Sequence, residues 1–125
     1  MRVQYHFRPS PQGLRAWDVQ RLVELSAGFP RRQVPLAEIR EIDEPYWHGP
    51  GDPVPTCRNI LEHARLIQAA DLTYPVILSA DGGLMDGMHR VLKALMLGRG
   101  VIDAVRFEED PAADFVGLAP DELPY

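Results

Sequence analysis

The chain runs Asp86-Gly87-Met88-His89-Arg90 and then Val91-Leu92-Lys93-Ala94-Leu95, a pattern that predicts a turn leading into a helix. Asp86 is the expected N-cap, because its carboxylate can accept free backbone N–H groups of the first turn. Gly87 allows the backbone to approach a neighbour closely. His89 and Arg90 place cations at the positive end of the helix dipole, where an anion would stabilise them. Free N–H groups, a positive helix end and two cations together predict a phosphate site.

One face of the predicted helix 88–97 is apolar and the other is basic. At ~100° per residue, the apolar face consists of Met88, Val91, Leu92, Leu95 and Met96. His89, Arg90 and Lys93 fall together on the other side, at spacings where like charges repel each other. An arginine fork and a lysine point charge suit phosphoryl oxygens. The spacing leaves two interpretations open: an anion site, and a solvated polar face that needs no ligand.

Length and composition predict a single domain spanning 1–125, with an acidic, mostly irregular tail at 108–125. The net charge of −5 makes DNA an unlikely partner, because nucleic-acid-binding modules usually carry a basic surface. The charge is uneven, since residues 1–32 hold six arginines and residues 103–125 hold seven acidic residues. Two interpretations remain, solvated faces or a contact between the basic and acidic parts, within one chain or in a homo-oligomer.

The sequence shows no sign of export or membrane insertion. A single cysteine, Cys57, excludes an intramolecular disulfide. The N-terminus has no apolar signal-peptide region. No window approaches ~18 consecutive apolar residues, so no membrane contact is expected. The expected location is the cytoplasm.

The order of predicted elements is typical of an α+β domain with a small mixed sheet and flanking helices. The predicted elements are a helix at 14–27, a short extended piece at 34–36, a helical turn at 37–40, a loop at 43–55, a helix at 56–70 capped by Thr56, a hairpin at 75–85, a helix at 88–97 ended by Gly98, and a strand at 101–107. The buried face of the helix at 56–70 is predicted to consist of Ile60, Leu61, Ala64 and Ile67.

The segment from Asp81 to Arg90, after a strand and before a helix, resembles the ParB/sulfiredoxin superfamily. The resemblance covers about residues 33–107 and includes Val34-Pro35-Leu36, the helix at 56–70 and Tyr74-Pro75-Val76-Ile77-Leu78. Members of this superfamily bind nucleotides: ParB proteins are CTP-dependent clamps, sulfiredoxins use ATP to repair an oxidised cysteine, and free-serine kinases carry an Asp-Gly-x-His-Arg motif. The resemblance implies a ParB/sulfiredoxin-like fold.

The resemblance also implies a ligand and its site. The ligand would be a nucleotide (ATP, ADP or CTP), with Mg²⁺ bound beside its phosphates. Gly87, Met88, His89 and Arg90 would cradle the phosphates, and the helical register adds Lys93. Asp86, helped by Asp81, would hold the metal ion, as carboxylates commonly do.

Two departures narrow the implied activity. Sulfiredoxins have a cysteine directly before the His-Arg pair, where this chain has Met88, and a thioether cannot perform thiolate chemistry. ParB proteins carry a helical DNA-binding domain after this one, whereas about 18 acidic and proline-bearing residues follow Phe107. Sulfiredoxin activity and a centromere-binding clamp are therefore not expected.

A kinase needs a general base for the acceptor hydroxyl. The family's kinases take it from the segment after the first strand, which here offers Glu41, Glu44 and Asp43. His89 is a further candidate catalytic residue. Three functions stay open: a small-molecule kinase or nucleotide hydrolase, a non-catalytic nucleotide- or anion-binding switch, and a DNA-related role.

The aromatic loop residues Tyr46, Trp47 and His48 suggest either stacking on a base or anchoring of the loop to the core. His63, near the inner face of its helix, is expected to be a core or edge histidine. His6, His48 and His63 lack the spacing of metal ligands.

Overall fold

The structure is a computed structural model that describes residues 3–49 and 51–125. Within these residues it is an α+β fold with three α-helices and two small sheets. In chain order the elements are β1 (Tyr5–Arg8), β2 (Arg15–Asp18), α1 (Val19–Ser26), β3 (Arg32–Pro35), 3-10 turns at Leu36–Glu38 and Arg40–Asp43, α2 (Cys57–Ala69), β4 (Val76–Leu78), β5 (Leu84–Asp86), α3 (Met88–Met96), β6 (Val101–Arg106), β7 (Phe115–Val116) and a 3-10 turn at Pro120–Glu122.

The larger sheet has the strand order β3-β6-β4-β5 and carries the candidate site at its edge. Strands β3 and β6 pair antiparallel, β4 and β6 pair parallel, and β4 and β5 form an antiparallel hairpin. All three residues of β4 are buried, as expected of a central strand covered on both faces. The mixed sheet predicted from the sequence is confirmed.

The helix after the hairpin packs its inner side into the core. Met88, Val91 and Ala94 are buried in a cluster with Val76 and Leu84. The helix ends as predicted, because Gly98 has a φ of 76° and its N–H donates to the Leu95 carbonyl. The predicted apolar face is wrong at its far end, since Leu95 and Met96 are exposed. The third turn has passed the edge of the core, and Ala94 takes the inward position there.

The predicted helix at 14–27 is wrong in its first part. Residues 15–18 form β2, which pairs with β1 on one side and β7 on the other, and α1 begins only at Val19. Asp18 caps α1 by accepting the Gln20 N–H at 2.9 Å. Trp17 is a core residue as predicted, but it reaches the core from a strand. Cross-strand pairing with distant segments overrides the local helical pattern here.

The helix α2 begins after Thr56 as predicted, with a capping box formed by Thr56 and Asn59. Its predicted buried face is wrong. Ile60 is 61% exposed and Leu61 is 49% exposed, and no residue of α2 is buried. The helix is amphipathic, but it packs mainly against α3. The side of α2 that faces α3 is the one that carries His63.

The tail after β6 is mostly irregular, as predicted, but it also contributes β7 to the smaller sheet. It packs against the basic N-terminal part of the chain. Arg21 donates to Asp114 at 3.0 Å and to the Ala112 carbonyl, and the Trp17 indole donates to the Pro111 carbonyl at 2.8 Å. Of the two interpretations of the uneven charge, a contact within the chain is therefore present. Among the described residues no helix has the length and apolar character needed to cross a membrane.

Candidate functional site

The N-terminus of α3 carries no side-chain cap. Gly87 is the N-cap residue, with a φ of 112°, and no side-chain hydrogen bond caps the helix. The first intrahelical bond runs from the Val91 N–H to the Gly87 carbonyl at 3.0 Å. The N–H groups of residues 88–90 therefore precede the helical ladder and point out of its positive end. This is the arrangement in which backbone groups bind phosphate in other proteins.

The prediction that Asp86 caps this helix is wrong. Asp86 is the last residue of β5, and its carboxylate accepts from Arg90 Nη2 at 2.8 Å. Gly87 stands between the strand and the helix, so Asp86 is one position too early to act as the N-cap. The ion pair joins positions i and i+4 and is mostly buried, since the side chains are 22% and 17% exposed.

Only glycine fits at position 87. A Cβ there would lie 2.6 Å from Val76 Cγ1, and the positive φ already strains an L side chain. The close approach is made to β4 rather than to a ligand. The predicted close approach of the Gly87 backbone is confirmed, and the residue that it approaches is Val76 of the core.

Arg90 and Lys93 are both bonded within the chain. Arg90 Nη1 donates to the Pro75 carbonyl at 2.9 Å, which ties α3 to the start of β4. Lys93 Nζ donates to the carbonyls of Gln68 and Ala70, at 2.9 and 2.7 Å. These carbonyls end α2, so the ammonium group neutralises the negative end of that helix. The repulsion expected between the cations is relieved by these protein partners.

His89 belongs to an aromatic cluster with Trp47 and His63. His63 Nδ1 and His89 Nε2 are 2.9 Å apart, which is a hydrogen bond between the two imidazoles. The Trp47 ring lies over both, with centroid distances of 4.0 Å to His63 and 4.6 Å to His89. Burial lowers the pKa of each imidazole, and a positive charge on a neighbouring histidine lowers it further: His48 acts in this way on His63, and His63 acts so on His89 when His63 is itself charged. Of the two roles expected for the aromatic loop, anchoring is the one that this contact shows.

A second network lies under the site and starts at His6. Arg8 Nε donates to His6 Nε2 at 3.0 Å, so the proton of the neutral ring lies on Nδ1, which faces the Tyr46 hydroxyl at 3.5 Å. Tyr46 donates in turn to the Leu84 carbonyl at 3.0 Å. Burial, with the positive charge of Arg8, lowers the pKa of His6 to about 4. His6 is therefore neutral at pH 7.

The three candidate bases differ sharply in burial. Glu41 is only 9% exposed, whereas Asp43 and Glu44 are exposed. Glu41 Oε1 is a buried oxygen without a hydrogen-bond partner, and Oε2 lies 3.7 Å from Arg40 Nε. The turn that carries Glu41 packs against α3. Burial raises the pKa of Tyr46, and the negative charges of Asp86 and Glu41 raise it further.

Asp81 lies in the hairpin turn between β4 and β5, apart from the α3 contacts described above. Its carboxylate accepts from the Ser79 hydroxyl and from the Gly83 N–H at 2.9 Å. Arg40 donates to its other oxygen at 3.2 Å. These hydrogen bonds, led by that of Ser79, hold the pKa of Asp81 well below its usual value. Asp81 organises the turn in this structure.

A cleft of about 490 Å³ opens beside the α3 end. The lining residues include Trp47, His48, Asp52, Asn59, Glu62 and His63. His63, which lines the cleft, also bonds to His89 in the first turn of α3. In the described ranges no three His, Cys, Asp or Glu side chains are grouped so that they could hold a metal ion.

Sequence reasoning missed His6, Arg8 and the His63–His89 bond. The first two lie on β1, which has no strong local signal, and the bonded histidines are 26 residues apart. The sequence offers one signal for the His63–His89 bond, which is that the predicted helices 56–70 and 88–97 each contain one histidine. The chain matches no protein family, no curated protein and no solved structure with which it was compared.

Proposed function

We propose that this chain is a nucleotide-binding domain of the ParB/sulfiredoxin-like type, with the phosphates at the start of α3. Two observations carry the proposal: the N-terminus of α3 has no side-chain cap, and the turn that packs against α3 holds a buried carboxylate oxygen, Glu41 Oε1, without a hydrogen-bond partner. A buried unpaired acceptor is costly, and a ligand that supplies a proton or a cation would remove this cost. Phosphate oxygens would likewise accept hydrogen bonds from the free N–H groups at the start of α3.

The proposed phosphate cradle consists of the backbone of Gly87, Met88, His89 and Arg90. The N–H groups of residues 88–90 donate to phosphate oxygens, and the His89 imidazole lies in the same turn. Arg90 shapes the turn through Asp86 and the Pro75 carbonyl, and its remaining donors are available to a phosphate. While Lys93 stays bonded to the Gln68 and Ala70 carbonyls, its positive charge acts on the phosphates only from the end of α2. To contact them directly, it would have to break these two hydrogen bonds.

Mg²⁺ fits this proposal as a companion of the nucleotide. Nucleotide-bound Mg²⁺ usually needs only one or two protein carboxylates, because phosphates and water supply the other ligands. Asp86 is the carboxylate at the α3 end, and Arg90 occupies its Oδ2. The metal ion neutralises phosphate charge when bound.

In the enzymatic form of the proposal, Glu41 is the general base and Glu44 is not. Glu41 takes the proton of an acceptor hydroxyl, or of water, while the new oxygen–phosphorus bond forms and the bond to the leaving nucleotide oxygen breaks. A buried carboxylate with a vacant acceptor position suits this role better than an exposed one. The reaction is phosphoryl transfer to a small hydroxyl compound, or nucleotide hydrolysis.

Substitutions at Glu41 and His89 test the two halves of the proposal. Thermal-shift screening with ATP, ADP, CTP, GTP and pyrophosphate, with and without Mg²⁺, should reveal one stabilising ligand class, because ligands of the native state raise the melting temperature. His89→Asn should weaken that ligand. Glu41→Gln should keep binding but lose turnover, while the matched exposed variant Glu44→Gln keeps both. Equal turnover in Glu41→Gln and Glu44→Gln would contradict the assignment of the base.

A non-catalytic switch is the second candidate, and one observation favours it. Asp86 already neutralises Arg90, and Lys93 is already bonded to α2, so few charges at the site remain free to stabilise a transition state. Binding without turnover, in the parent chain and with a panel of hydroxyl compounds, would decide for the switch.

A further inference from the structure

The two bonded imidazoles lie edge to edge under one indole. Their planes differ by 23° and their centroids are 5.1 Å apart, while the facing nitrogens are 2.9 Å apart. Such a separation fits nearly coplanar rings joined through the bond, with Trp47 covering both. The gap between the nitrogens holds one proton, because two N–H groups cannot face each other at this distance.

The shared proton limits the charge of the pair to one. When His89 is doubly protonated, its Nε2–H donates to the lone pair of His63 Nδ1, and His63 stays neutral. The single cation then lies against the Trp47 face, an arrangement that a cation–π attraction stabilises. A second proton would break the hydrogen bond and place two like charges side by side.

We propose that His63 is a positioning residue for His89: the bonded pair takes up one proton and presents it as a single cation at the first turn of α3. This inference rests on the proposed function, since an anion bound at that turn would then draw the proton onto His89. Anion binding and proton uptake are linked, so the affinity for a phosphate-like anion rises as pH falls, by up to ~tenfold per pH unit.

The charges around the pair are mixed. Asp86 of β5 favours the charged form of His89, and Arg90 in the same turn opposes it. His63 faces His48 of the loop, which opposes its charging, and Glu62 of α2, which favours it. Burial opposes charging of both rings, and an anion at the α3 end changes this balance in favour of His89.

Two substitutions at position 63 separate a hydrogen-bonding role from a stacking role. His63→Phe keeps an aromatic ring under Trp47 but removes the acceptor. His63→Asn removes the ring, but its Oδ1 can occupy the acceptor position of Nδ1 and accept from His89. If the hydrogen bond sets the charge of His89, His63→Phe should change the pKa of His89 and His63→Asn should keep it near that of the parent. If stacking under Trp47 sets it, His63→Asn should change the pKa and His63→Phe should keep it.

The measurement is an NMR titration of the imidazole nitrogens in the full chain without ligand. The parent should take up one proton across the two rings before the second uptake at much lower pH. His63→Phe should lower the pKa of His89 by about one unit, since a hydrogen bond from a charged donor is worth about that much. His63→Asn should keep it near that of the parent. His48→Gln removes only the neighbouring charge of His48 and leaves the bond intact, so as a control it should still take up a single proton across the pair.

Independent titration of both rings in the parent, or the same His89 titration in the parent and His63→Phe, would overturn the inference. Sulfate, whose charge is constant between pH 5 and 8, then probes the linked binding. Its affinity should rise toward low pH in the parent and less in His63→Phe. A parent that binds neither sulfate nor any nucleotide would overturn the proposed function, while the ligand-free titration still decides the behaviour of the pair.

Discussion

The buried His6 makes the stability of this fold sensitive to pH, and it offers a quantitative test of the network beneath the site. His6 packs beside Trp17 and Tyr46 and accepts a hydrogen bond from Arg8. A proton on Nε2 would break that bond and place a second charge beside the guanidinium. The pKa of His6 accordingly falls from its usual 6.5 to about 4.

The sign of the effect follows from which state binds the proton. Between pH 6.5 and 4 the unfolded chain has a charged His6 and the folded chain has a neutral one, so stability present above pH 6.5 is lost as pH falls toward 4. Each pKa unit corresponds to about 1.4 kcal/mol. The lowered pKa of His6 therefore removes about 3 kcal/mol of unfolding free energy between pH 7 and pH 4.

His6→Gln isolates this contribution, because the amide oxygen can still accept from Arg8 but does not titrate. We expect the variant to be less stable than the parent at pH 7, since ring packing is lost. Urea unfolding at pH 7, 6, 5 and 4 should show the difference in free energy shrinking by about 3 kcal/mol toward pH 4. His48→Gln on the loop is the control. A parent–variant difference that stays constant within about 0.5 kcal/mol would contradict a buried, neutral His6 in the folded chain.

Three further substitutions test the α3 end. Gly87→Ala should cost about 2 kcal/mol or more in urea unfolding, because its Cβ meets Val76 and the φ is positive; an unchanged midpoint would contradict the close contact. Lys93→Met should cost ~1 kcal/mol and speed hydrogen exchange at the end of α2; a loss of nucleotide affinity at unchanged stability would instead show that Lys93 moves to the phosphates. Asp86→Asn should raise the affinity for Mg²⁺-free nucleotide, because a negative charge is removed, and should abolish any gain from Mg²⁺; calorimetric titration checks both, and an unchanged Mg²⁺ effect would exclude Asp86 as its ligand.

The hairpin and the helix after it could be predicted from the sequence because their signals are local. The apolar run at 75–78, the turn with Gly82 and Gly83, and Gly98 each act through neighbouring residues. The smaller sheet could not be predicted in this way. Its strand β2 pairs with β7, and Ala16 lies opposite Phe115. No local sequence pattern around residue 16 indicates a partner strand almost one hundred residues away.

The sequence predicts where a candidate site lies, but not the contacts that the structure shows within it. The motif at 86–90 indicated where an anion could bind, yet Asp86 turned out to hold Arg90 and not the helix. Among three neighbouring acidic residues, burial alone distinguishes Glu41, and burial depends on how the turn packs against α3. The exposure of Ile60 has a similar cause, since an amphipathic pattern does not say whether another part of the chain packs against the apolar face.

Nucleotide binding at the start of α3 can be tested directly by an NMR titration of the backbone amides with ATP, with and without Mg²⁺. If phosphates bind at the start of α3, the amides of residues 88–90 and the His89 ring should show saturable shifts, while the amides of the smaller sheet stay unchanged. Shifts that avoid the first turn of α3, or the absence of any saturable shift with ATP, ADP, CTP and GTP, would contradict phosphate binding there.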